Sequence, residues 1–177
     1  MADLSPLGEF SYPRDAWGLT QNGEHLIVSD GSPVLRFLDP GTMEVKGRLH
    51  VTAAGLPVHH LNDLEWVSGE IWANVFYTDL IARIDAATGV VRSWINLSGL
   101  RRSVGAHHFE WMLNGLAFDD RSKGLFVTGK NWPKLFEVRV GAVPASRGVG
   151  ASNTRTRSRD DTLNEPIRLK WDKSDED

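Results

Sequence analysis

The chain has 177 residues, 41% of them hydrophobic and 24% charged, with a formal net charge of −3. That length allows one domain with a real core, and the charge balance gives no general attraction to nucleic acid or an anionic membrane. The absence of cysteine removes disulfides, thiolate metal sites and thiol nucleophiles, while seven Trp against two Tyr need a core or a pocket to hold them.

Residues 1–16 read as a lead-in, with a strand expected at Glu9-Phe10-Ser11-Tyr12. No basic start is followed by an apolar run, so no signal peptide is expected, and no apolar stretch approaches a bilayer span. From Trp17 the chain alternates short apolar strands with tight turns. Trp17 to Thr20 is a strand, Gln21-Asn22-Gly23-Glu24 a hairpin turn and His25 to Asp30 a strand. Gly31-Ser32-Pro33 turns into Val34 to Leu38, and Asp39-Pro40-Gly41-Thr42 into Glu44 to Val51.

The same order returns in the next segment. Strands are expected at Asn62 to Trp66, Ile71 to Val75, Leu80 to Ile84 and Val90 to Leu97, joined by turns at 67–70, 77–79 and 85–89. A third unit follows a longer connection over 99–112, with strands at Leu113 to Phe118, Gly124 to Gly129 and Lys134 to Val140, where it stops. A four-strand unit recurring about every 40–50 residues is the mark of a β-propeller blade. The fold class is therefore all-β: residues 17–140 form a partial β-propeller of about three blades, residues 1–16 the lead-in or end of a preceding blade, and residues 141–177 a polar, disordered tail. The tail's four Arg between 147 and 159 read as solvated rather than as an anion site. Propellers close with 4–8 blades, so three would expose sheet edges and favour self-association, or the chain is part of a longer propeller.

The residues that repeat also resemble one family. Trp17-Gly18-Leu19, Leu61-Asn62-Asp63-Leu64-Glu65, Gly69-Glu70-Ile71-Trp72-Ala73-Asn74, Thr78-Asp79-Leu80-Ile81-Ala82-Arg83-Ile84, Leu113-Asn114-Gly115-Leu116-Ala117 and Val127-Thr128-Gly129-Lys130-Asn131-Trp132-Pro133 are similar to the later blades of the plant and bacterial type of glutaminyl-peptide cyclotransferase. The resemblance runs over roughly residues 8–140 and implies a five-bladed propeller. It also implies conversion of the N-terminal glutamine of peptides or proteins to pyroglutamate with release of ammonia. No cofactor is implied, and the secretory pathway, vacuole or cell exterior is the implied setting. The family's general acid and base glutamate belongs to the earlier blades, and this chain offers no substitute beyond Glu65 as a fallback.

By the same resemblance Trp17, Asn62 and Lys130 hold substrate, and Phe76 stands where the family has tryptophan, keeping an apolar wall without the indole N–H. Read without it, each has a plainer role: Trp17 as core, Asn62 as a turn cap, Lys130 as a solvated turn residue and Glu65 as a strand-surface charge. His107 and His108, adjacent, would point apart in a strand and make poor joint metal ligands. Asn96-Leu97-Ser98 fits the N-glycosylation acceptor pattern, which matters only on the secretory route. Two other functions stay open. One is a non-catalytic binding module derived from a propeller. The other is a calcium-dependent lactonase-like hydrolase with Asn62, Asn74 and Asn114 among its ligands, and a structural calcium in the channel is an expectation on the same residues.

Overall fold

The computed structural model describes residue 6 and residues 8–105, 111–140 and 168–169. Three four-stranded antiparallel sheets follow one another along the chain. The first holds β1 (Gly18–Gln21), β2 (Leu26–Ser29), β3 (Val34–Leu38) and β4 (Val45–His50). A two-stranded hairpin, β5 (Thr52–Ala53) and β6 (Leu56–Pro57), leads to the second. That sheet holds β7 (Leu61–Val67), β8 (Glu70–Val75), β9 (Leu80–Asp85) and β10 (Val91–Asn96). After a short helix α1 (Ser98–Ser103), the third holds β11 (Leu113–Asp119), β12 (Gly124–Gly129), β13 (Phe136–Arg139) and β14 (Arg168–Leu169).

Each sheet runs in simple meander order, and neighbouring sheets meet through their first strands, β1 against β7 and β7 against β11. This is the packing of propeller blades around an axis. The alternation of the strands decides which seam each residue fills. Ile71 packs toward the first blade with Ile27, Leu35 and Ile84, whereas its neighbour Trp72 packs toward the third with Leu125, Val127 and Val138. β8 of the middle blade is buried on both faces from Ile71 to Val75, Asn74 included. Each large apolar side chain buried in this way contributes about 1.5–3 kcal/mol.

Three expectations need correction. The Glu9 to Tyr12 segment is not a strand: Phe10 is largely exposed, and Pro13, without an N–H, closes the segment before it can join a ladder. The third blade does not stop at three strands, because Arg168–Leu169 pairs with β13 and covers its outer edge. Those two residues leave the expected tail; the rest of 141–177, like His107 and His108, lies outside the described residues. Within the expected 99–112 connection, α1 occupies its first part.

Candidate functional site

The inner edge of a blade is an unpaired strand, so its N–H and C=O groups need partners from the next blade. The chain solves this twice in the same way. Ser29 Oγ, near the end of β2, donates to the Asn62 carbonyl across the first seam (2.6 Å). Asn74 Nδ2, at the equivalent place on β8, donates to the Leu113 carbonyl across the second (3.0 Å). Further along, the Trp66 N–H donates to Thr20 Oγ1 (3.1 Å), and the Phe118 N–H to Glu65 Oε1 (3.0 Å). Glu65 therefore holds the seam position that Thr20 holds one blade earlier.

The inner strands of the second and third blades also carry a bulge at the same place, between Leu61 and Leu64 and between Leu113 and Leu116. A bulge breaks the ladder and leaves an N–H without its sheet partner. In β7 that group is the Asp63 N–H, which donates to Asn74 Oδ1 at 2.8 Å. The bulge sets Asn62 at the start of the strand, where it is only 6% exposed and its side-chain amide makes no hydrogen bond with any described residue.

The repeat puts the four candidate binding residues at one end of the blades. Trp17, Asn62 and Asn114 are equivalent positions at the starts of the inner strands; Gly31, Phe76 and Lys130 are equivalent positions just past the ends of the second strands. The Trp17 ring meets Phe76 edge-on at 5.8 Å between centroids. The Lys130 ammonium lies 4.8 Å from the centroid of the Phe76 ring. Gly31 explains where Trp17 lies: a Cβ there would come within 2.7 Å of the indole, and its φ of +77° suits glycine. Gly18 is required on the other side, because a Cβ would collide with the Asn62 carbonyl.

Asp63 is the residue that the sequence analysis left out. Its Oδ2 accepts the Leu116 N–H (2.8 Å) and its Oδ1 the Leu64 N–H (3.1 Å). Burial pushes its carboxyl above the usual range, against the pull of those two donors. Glu65 is pushed up too, by burial first and then by the charges of Asp63 and Asp120. The signal available in the sequence was its place beside Asn62 in a strand that must seam to the next blade. A raised carboxyl favours the fold most below its unfolded pKa and loses that contribution as pH rises through the folded one. Asp63→Asn removes the ionisable group, so its stability deficit against the parent chain should shrink as pH rises from about 4 to about 7. Thermal denaturation across that range checks this, and a deficit that grows would contradict it.

As to metals, Asn74 spends both side-chain atoms on the seam, and among the described residues no group of three or more His, Asp or Glu side chains is placed to hold an ion. A separate cleft of about 320 Å³ lies at the opposite end of the second seam, lined by Glu70, Trp72, Arg83, Phe118 and Lys123 among others. Its charges are already engaged: Arg83 Nε donates to Glu70 Oε2 at 3.0 Å, as does Trp72 Nε1 at 3.0 Å.

Comparisons with known proteins agree on one kinship. The sequence model of a family described as Glutamine cyclotransferase matches residues 1–140. A glutaminyl-peptide cyclotransferase of Arabidopsis thaliana is 40% identical over 151 residues, covering 84% of this chain and 47% of that protein. The crystal structure of Myxococcus xanthus glutaminyl cyclase superposes with a TM-score of 0.70 at 39% identity, over 72% of this chain and 56% of that one. The chain thus spans about half the length of the relatives it matches.

Proposed function

Because the chain belongs to the glutamine cyclotransferase family, we propose that it takes part in converting the N-terminal glutamine of peptides and proteins to pyroglutamate. The observation that carries this reading is the meeting of Trp17, Phe76 and Lys130 at the mouth beside Asn62, a buried amide whose side chain has no hydrogen-bond partner among the described residues. In the reaction, the α-amine nitrogen bonds to the carbon of the side-chain amide. The bond from that carbon to its amide nitrogen breaks, and ammonia departs with the proton that the amine gives up. Charge gathers on the amide oxygen in between.

The parts of the site suit those needs. Lys130 offers N–H donors to the oxygen that becomes negative, where a preorganised donor is worth most. Asn62 offers both a donor and an acceptor to the glutaminyl amide or amine. Trp17 and Phe76 wall the mouth against water, which strengthens both contacts. The amine and the amide carbon belong to one residue, so holding it in the folded-back conformation supplies much of the acceleration. Glu65, whose Oε1 is bound by the Phe118 N–H, reads as a seam residue rather than the proton carrier. The proposed chemistry calls for no cofactor.

Asn96 is exposed at the end of β10, and its Oδ1 accepts the Ser98 N–H at 3.0 Å. We include it in the proposal as a glycosylation acceptor should the chain pass through the secretory route.

The test is to incubate the folded chain with a glutamine-initiated peptide and follow ammonia and pyroglutamate together. Equimolar release of the two is expected. Peptide binding with neither product would favour the binding-module reading instead.

A further inference from the structure

The turn after β8 carries a feature that the family reading does not use. Tyr77 is 64% exposed and adopts φ +69°, and His60, exposed in the loop just before β7, adopts φ +63°. A bulky residue in the left-handed region is under strain, and such strain gathers where a surface is put to use. The third blade gives an internal reference: at the equivalent turn position it has Asn131, with φ +59°, a residue that tolerates this conformation. The second blade holds a tyrosine there instead.

The strained pair is tied directly to the mouth. The His60 N–H donates to the Gly31 carbonyl (2.7 Å), the glycine on which Trp17 lies, and the Phe76 N–H donates to the His60 carbonyl (2.8 Å). The rings continue outward from the site: Phe76 to Tyr77 at 4.4 Å between centroids, and Tyr77 to His60 at 5.6 Å, edge-on at 88°. Successive Cα atoms of a peptide are about 3.8 Å apart. A peptide with its glutamine at Trp17, Asn62 and Phe76 thus has its second residue within reach of Tyr77 and His60 when it runs outward along these rings.

We propose that Tyr77 and His60 form the subsite for the second residue of the peptide and that it selects an aromatic side chain there. This rests on the glutaminyl-peptide reading given above. The exposed tyrosine and imidazole offer ring surface of the kind that pairs edge-on or tilted with a third aromatic. No fixed carboxylate or ammonium contact to either ring is present among the described residues, so the shelf selects by ring stacking rather than by charge.

The test compares dissociation constants, by NMR titration, for glutaminyl-phenylalanine amide and glutaminyl-alanine amide. It uses the parent chain and Tyr77→Asn, which takes the residue of the equivalent third-blade turn and so relieves strain while removing the ring. The parent chain should prefer the phenylalanine peptide by roughly 2- to 10-fold. That ratio should fall toward one in Tyr77→Asn, with thermal stability equal or higher. Equal affinities in the parent chain, or a preference that survives Tyr77→Asn, would overturn the subsite and leave the cyclase reading in place. Failure of the folded parent chain to bind either peptide would overturn that reading and the subsite with it.

Discussion

Asn74→Ala should be among the most damaging single substitutions in the chain. Asn74 is fully buried, and it serves two backbone groups on two different blades: the Asp63 N–H freed by the bulge and the Leu113 carbonyl at the head of β11. Alanine leaves both without these partners, the Leu113 carbonyl at a buried site and the Asp63 N–H at a half-buried one. An unpaired buried group costs about 1–3 kcal/mol, so the pair should cost about 2–5 kcal/mol. That is a large part of the roughly 5–15 kcal/mol by which domains are stable. Urea denaturation would read it as a lower midpoint. The control is Asn114→Ala, which removes a partly exposed asparagine with no such seam bonds among the described residues and should cost less than about 1 kcal/mol. Equal losses in the two variants would mean that the seam is not what holds the second and third blades together.

Lys130→Ala should remove most of the activity while leaving the fold intact. Lys130 is exposed, and its ammonium lies over the face of the Phe76 ring. Loss of a donor aimed at a developing oxyanion costs about 10²–10³ in rate, and most of that should appear in kcat. Asn62→Ala should weaken binding as well, because the proposed site has this amide meet the substrate before and during reaction. Phe76→Trp should lower KM by returning an indole N–H to the mouth. A Lys130→Ala chain with unchanged kcat would remove Lys130 from the chemistry, whatever its position.

Much of the fold was legible because its signals are local. Asn22-Gly23 marked a tight turn, Asp39 and Asp85 cap their own turns through backbone N–H groups, and the strands expected at Val34 to Leu38 and Gly124 to Gly129 have those bounds in β3 and β12. What escaped has weak or distant causes. The β5–β6 hairpin is two residues a side, too short to show a period. Helix α1 lacks a side-chain cap and has no acidic residue in its first turn, so neither of the usual start signals marks it. β14 consists of two residues far along a polar stretch, and only the open edge of β13 gives it a place.

The candidate site divides along the same line. Trp17, Asn62, Phe76 and Lys130 were found through resemblance to a family, not through any spacing that demanded them. Asp63 and Asn74 act through a bulge and a seam between blades, and neither exists until the strands have paired. The strain at His60 and Tyr77 is likewise a property of the turn and not of the residue types. Glu65 shows the converse: the sequence offered it as a fallback proton carrier or a strand-surface charge, and the seam gives its carboxylate a backbone partner.

The central claim is that the peptide's glutamine enters at the end of the blades where Trp17, Asn62, Phe76 and Lys130 meet. NMR chemical-shift mapping with a glutamine-initiated peptide tests this most directly. The largest shifts should fall on those four residues and on Gly31, with little change at Glu70, Trp72, Arg83 and Lys123 around the cleft at the far end. Shifts centred on that cleft, with the four residues undisturbed, would contradict the account.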